Sequence, residues 1–268
     1  MDPQPGLPPD LGAALAAARD QFTSLAAELP VWPHQIAAAY AGARVRELAG
    51  EPGAAHDQLL AILGDSPPPP GTRGSSLLLR TLTRLARAQG CPARTAAALA
   101  GCAAACPPPA GLWRAELGLW QGHLLVAAGR PAEAVIVLRA AVDELSRVPP
   151  LHFAALVELL GALAAAGATS EAVRVCREAV RTRPERAATF RASLAGLLVG
   201  QGDPVGAEQE ARLALAAAPD LAPAWLHLGQ ALLAQGRRDE ACLALGRAGD
   251  LDPELAALAA SELAEPPG

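Results

Sequence analysis

The sequence predicts an all-α protein, a solenoid of helical hairpins laid side by side. Three observations carry this reading. Alanine makes up about a quarter of the chain, which favours helix and lets helices approach closely. No alternating apolar–polar run marks a strand. Glycines at 50, 90, 129, 167, 202 and 236 recur at spacings of 40, 39, 38, 35 and 34, each where a glycine would end a helix. A recurrence of this length marks repeats that bury an apolar face only by stacking.

The elements follow in order. Residues 1–9 read as a mobile Pro-rich tail. Asp10 can cap a helix reaching about Leu29, with Leu15, Phe22, Leu25 and Leu29 on its apolar side, and Pro30 stops it. Helices near 33–49 and 52–64 make a first hairpin, closed at Gly50. The segment 67–74, PPPPGTRG, reads as an extended spacer; a docking motif for a proline-binding domain is the alternative. Helices near 74–89 and 92–105 make a second hairpin, and 107–109 is another Pro-rich joint. These first two hairpins are degenerate, keeping Ala55, Leu59 and Ile62, then Leu79, Leu82 and Leu99. The domain boundaries expected are thus 1–9, 10–109, 110–253 with four regular hairpins, and 254–264.

The regular hairpins share a pattern. The third keeps Gly122, Leu125, Gly129, Ala134, Leu138 and Ala141. The fourth keeps Leu156, Leu159, Leu163, Gly167, Ala172 and Ala179, and the fifth Leu194, Leu198, Gly202, Ala207 and Ala214. In the sixth, Trp225, Leu228 and Leu232 share a helix face with Gly229, which lets a neighbour come close. Gly236 turns the chain, and Ala241, Leu245 and Ala248 line the returning helix. Asp252 and Pro253 open a last helix as N-cap and first residue, with Leu255, Leu258 and Leu263 for a lid over the array.

This pattern resembles the tetratricopeptide repeat. Trp225, Leu228-Gly229, Leu232, Gly236, Ala241, Leu245, Ala248 and Pro253 match its motif in order. The resemblance implies a right-handed superhelix whose first helices line a concave peptide-binding groove. Projected onto this chain, the groove residues are Tyr40, Arg44, Arg80, Arg84, Arg87, Glu116, Trp120, His123, Glu158, Ser193, His227 and Gln230.

One part of that projection is sharper on the helical wheel. Leu77, Leu78, Leu79, Leu82 and Leu85 fill one arc, and Arg80, Arg84 and Arg87 cluster in the other. The arginine arc reads either as a carboxylate site or as a solvated face. Nearby Glu47 or Glu116 would offset its charge.

Composition narrows the function. The chain has no lysine and no asparagine. A lysine Schiff base, a phosphate-binding-loop lysine and N-glycosylation are excluded. The clamp by which some tetratricopeptide proteins hold chaperone tails uses Lys and Asn, so that role is not expected. Net charge is −5 without a basic run, which argues against nucleic acid. The longest apolar helical stretch, 153–168, contains Glu158 and is too short for a bilayer. No membrane partner and a cytoplasmic location are expected.

Cys91, Cys102, Cys106, Cys176 and Cys242 are odd in number and irregular in spacing, so no disulfide framework is expected. They read as buried apolar filler; a soft-metal site from Cys102 and Cys106 with Cys91 or His123 is the alternative. His34, His56, His123, His152 and His227 are scattered, and no hydrolase, nucleotide or calcium motif occurs.

The expectation is a non-enzymatic scaffold or adaptor with no cofactor and no metal. Its partner is a protein or peptide, acidic if the arginine arc is a site. Two alternatives stay open: an accessory or regulatory subunit that associates through its outer face or ends, and a substrate-recognition partner of an enzyme such as a glycosyltransferase. The sequence leaves the oligomeric state undetermined.

Overall fold

The computed structural model describes residues 34–65, 73–106 and 111–264. The tail at 1–9, the helix expected from Asp10 to about Leu29, the run of four prolines and the 107–109 joint lie outside the described residues. Among the described residues there are thirteen α-helices and no strand. The chain divides into two compact units, Met1–Ala162 and Leu163–Gly268.

The first unit holds α1 (His34–Leu48) and α2 (Pro52–Asp65), α3 (Arg73–Ala88) and α4 (Pro92–Ala105), and α5 (Gly111–Ala127) and α6 (Pro131–Glu144). A 3₁₀ turn, Leu145–Arg147, leads into α7 (Pro149–Ala165), which carries the boundary between units. The second unit continues with α8 (Thr169–Thr182), a 3₁₀ turn at Pro184–Arg186, α9 (Ala187–Gly200) and α10 (Pro204–Ala217). It ends with α11 (Ala222–Ala234), α12 (Arg238–Leu251) and α13 (Pro253–Ala264).

One turn recurs six times. Gly50, Gly90, Gly129, Gly167, Gly202 and Gly236 have φ between +63° and +83°, and no other described residue has positive φ. In each turn the glycine N–H bonds the carbonyl three residues back and the next N–H bonds five back. At Gly236 these are Gly236 to Leu233 at 2.9 Å and Arg237 to Leu232 at 2.9 Å. Both orphan carbonyls at the helix end are thereby satisfied. The returning helix starts at once, with proline as its first residue at Pro52, Pro92, Pro131 and Pro204. The Asp203 side chain caps α10 by accepting from Gly206 N at 2.9 Å. Asp252 does the same for α13, accepting from Glu254 N at 3.0 Å.

Packing follows the small–large–small pattern. Ala134, Leu138 and Ala141 are buried, as are Ala241, Leu245 and Ala248; α10 departs from the pattern, with Ala211 between the buried Ala207 and Ala214. A Cβ on Gly122 would stand 2.3 Å from Leu138 Cγ, and one on Gly229 would stand 2.5 Å from Leu245 Cγ. Glycine at those two positions is what allows a leucine to fill the contact. In the second unit, Ala192, Ala195, Ala224, Leu228 and Leu232 join the α10 and α12 alanines in one core.

The cysteines depart from the expectation of uniform filler. Only Cys176 is buried; Cys91, Cys102 and Cys106 are half-buried and Cys242 is exposed. Cys176 stands between Ala172 and Ala179, where other returning helices place Leu138 or Leu245. Burial, with the Glu210 charge behind it, pushes its thiol up to about 12. Cys102 of α4 and Cys242 of α12 fall beside the packed stripe rather than on it. Among the described residues, no helix is long and apolar enough to cross a membrane.

Candidate functional site

Helix α3 owes its position to its leucines. Leu78, Leu79, Leu82 and Leu85 are buried, and each such side chain contributes roughly 1.5–3 kcal/mol. That forces the opposite arc outward: Arg80, Arg84 and Arg87 are exposed. Arg84 Nη2 meets Glu47 Oε1 of α1 at 2.5 Å. Glu47 also pairs with Arg44, one turn earlier on its own helix. Glu47 therefore sits between two guanidiniums. Arg80 and Arg87 have no ion pair among the described residues.

Two expected groove residues are instead buried rivets between first helices. Tyr40 is 3% exposed, and its hydroxyl lies 3.1 Å from Thr81 Oγ1 of α3. Burial raises its pKa above the ordinary phenol value. Glu116 is fully buried, accepting from Ser75 Oγ at 3.0 and 3.1 Å and from Ser76 Oγ at 3.1 Å. A buried carboxylate is tolerable only when its oxygens are supplied with donors, and the two serines at the start of α3 supply them. Both side chains are closed off from solvent.

Trp120, His123 and Glu158 do come together in the first unit. His123 Nδ1 lies 3.0 Å from Glu158 Oε2 of α7, and both side chains are about a third exposed. The Trp120 and His123 rings meet edge-on at 6.3 Å.

In the second unit, Ser193 is turned to its own helix, donating to Thr189 O at 3.2 Å. His227 lies over Gly196 of α9, where a Cβ would stand 2.7 Å from the imidazole. Its Nδ1 is 2.9 Å from Gln230 Oε1, and Gln230 Nε2 donates to Glu262 Oε1 of α13 at 2.7 Å. Because the amide oxygen accepts, Nδ1 carries the imidazole proton. Burial holds the His227 pKa below its ordinary value, against the pull of Gln230 and Glu262.

The helical wheel missed a polar knot at Glu208. This buried carboxylate accepts from Gln235 Nε2 at 2.7 Å and Arg237 Nη1 at 2.7 Å, and pairs with Arg212 Nη1 at 2.6 Å. Burial opposes its charge, but those donors outweigh it and hold its pKa low. Among the described residues, no group of three His, Cys, Asp or Glu side chains gathers to hold a metal.

No protein-family model matches the chain, and no curated protein sequence matches it either. Solved structures do. The nearly identical TPR-like repeats of a kinesin light chain-like protein from Podosopora anserina align at a TM-score of 0.52 and 19% identity, covering 66% of this chain and 94% of that one. A point variant of the same repeats aligns at 0.53 and 19%, covering 67% and 95%. BtubC (BKLC) from P. vanneervenii aligns at 0.55 and 17%, covering 83% and 91%. With thirteen helices and no strand among the described residues, and six repeated glycine turns, the chain has the fold of the tetratricopeptide-like repeat solenoids.

Proposed function

We propose that the chain is a non-enzymatic protein-interaction scaffold that takes an acidic peptide or helix on the first helices of its first unit. The observation that carries this is the arginine corner of α1 and α3. Arg44 and Arg84 pair with Glu47 there, and Arg80 and Arg87 share the exposed arc of Arg84 on α3, in a chain whose net charge is −5. Guanidinium groups on one helical arc repel each other, and packing does not require them, since the leucines already seat α3. Carboxylates on a partner would relieve that repulsion by charge-assisted, bidentate pairing. The tetratricopeptide resemblance supports the same reading, because it implies that first helices are the binding surface. The same unit also carries the half-exposed His123–Glu158 pair, with Trp120 edge-on to the imidazole. Five free cysteines fit a reducing, cytoplasmic setting.

A second reading, association through the returning helices, has one specific observation behind it. Ile136 of α6 and Leu243 of α12 are 72% and 76% exposed, each seven residues after its turn glycine.

The test is affinity purification with the intact chain, followed by titration of the recovered partner into wild type and an Arg80→Glu, Arg87→Glu variant. These two arginines are chosen because Arg84 is tied to Glu47. Loss of affinity with an unchanged melting temperature supports the arginine corner; equal affinity removes it.

A further inference from the structure

The repeat register exposes one place where the packing is left incomplete. Eleven residues before the last two turn glycines stand Trp225 and Arg191. Trp225 packs against the core that includes Ala214 and Leu215 of α10, and its Nε1 donates to Pro219 O at 2.7 Å. Arg191 holds the same register position one hairpin earlier but does not fill it. Its guanidinium turns to Glu210 of α10, with Nη1 to Oε2 at 2.6 Å.

What remains beside Arg191 is a cavity of about 550 Å³ between α8, α9 and α10, wholly within the second unit. Its apolar walls are Val173, Val180 and Leu194; Val173 and Leu194 are buried. Arg174, Arg177 and Arg181 run along one stripe of α8 at its edge. Arg174 is held loosely by Glu171 at 3.5 Å and Arg181 pairs with Glu178. Arg177 has no ion pair among the described residues.

This volume suits a side chain with its flanking backbone. Its lining is divided between these apolar walls and four arginines, Arg174, Arg177, Arg181 and Arg191, with Glu178 and Glu210 pairing Arg181 and Arg191. We propose that the cavity receives a leucine-like side chain of a partner peptide, with Asp or Glu on either side pairing with Arg177 and its α8 neighbours. The incoming apolar group takes the place that Trp225 fills from within the chain one hairpin later. The inference stands apart from the arginine corner of the first unit, because it rests on the register and the cavity.

Fluorescence anisotropy with the full chain tests it, using a labelled peptide with a single Glu-Leu-Glu between Gly-Ser flanks, whose two glutamates are two apart, and the same peptide with serine for leucine. The wild type should bind the leucine peptide at least about tenfold more tightly than the serine one, the worth of one buried apolar side chain. Arg177→Glu should weaken leucine-peptide binding on the order of tenfold or more. Arg191→Trp, which rebuilds the filled register position, should weaken it similarly while leaving the three α8 arginines in place. Ser170→Trp fills the cavity from its rim and serves if Arg191→Trp does not melt as a folded protein. The Arg80→Glu, Arg87→Glu variant should bind as wild type. No binding by wild type, equal binding of the serine peptide, or full binding by the cavity-filling variants overturns the proposal. So does loss of the peptide only in the Arg80→Glu, Arg87→Glu variant, which would place it on α3.

Discussion

Leu245 of α12 occupies the space into which a side chain on Gly229 of α11 would project, with Leu245 Cγ only 2.5 Å from an ideal Cβ. The same relationship joins Leu138 to Gly122 in the first unit at 2.3 Å. Gly229→Leu is expected to destabilise the protein by roughly 1–3 kcal/mol through overpacking. Gly246→Ala, on α12 with no atom within 4 Å of its added Cβ, is expected to stabilise by about 0.5–1 kcal/mol through helix propensity. Urea unfolding of both variants checks this. If both shift the midpoint the same way, the Gly229–Leu245 contact is not what the glycine is for.

The backbone plan was legible because it rests on residues with local consequences. Every turn glycine of the register has positive φ, and the alanine–leucine–alanine stripes are buried where period and propensity put them. The surface was less legible. A wheel says which way a side chain leaves its own helix, not what stands opposite. Tyr40 and Glu116 leave first helices on the expected side, yet Thr81, Ser75 and Ser76 meet them and close them in. Glu208 gathers Gln235 and Arg237 from the far side of a turn, which spacing along one helix cannot reveal. The cavity beside Arg191 was readable in principle as an arginine where the next hairpin has tryptophan, but only a comparison of repeats position by position would have found it.

Glu116 gives a second prediction. Its two oxygens accept the hydroxyls of Ser75 and Ser76 and so hold the start of α3 to α5. Glu116→Ala removes the acceptor and leaves a hole, and should cost roughly 1–3 kcal/mol. Chemical denaturation is the measurement. A loss no larger than that of an exposed glutamate such as Glu133→Ala would mean the hydroxyls do not stabilise the fold.

His227 sets a pH dependence. Burial lowers its pKa in the folded chain, so the unfolded chain takes up a proton first as pH falls. The contribution of neutral His227 is complete above the unfolded value of about 6.5 and is lost as pH drops below it toward the lowered folded value. Wild type should therefore lose stability between about pH 7.5 and pH 5.5, and His227→Gln should lose less over the same interval. The other histidines contribute equally to both proteins, so the difference isolates His227. Equal slopes in urea titrations at the two pH values would show that His227 is protonated as easily folded as unfolded.

The last prediction follows from the acidic ligand proposed for the arginine corner. Arg80 and Arg87 are seven residues apart on α3, which separates them by about 10 Å along the helix. A peptide in the polyproline II conformation advances about 9 Å in three residues and brings residues three apart to the same side, so the preferred ligand should carry acids three apart. Between them Arg84 is held by Glu47 and is not available without breaking a 2.5 Å pair. Both outer arginines are exposed, so the pairs they form should be screened, and affinity should fall as salt rises through about 0.1 to 1 M. Peptides with glutamates spaced two, three and four apart, titrated into wild type and into Arg80→Glu with Arg87→Glu at low and high salt, decide the matter. A preference for the three-residue spacing that disappears in the variant is expected. Salt-insensitive binding, or the same affinity at every spacing, would reduce the corner to a solvated helix face.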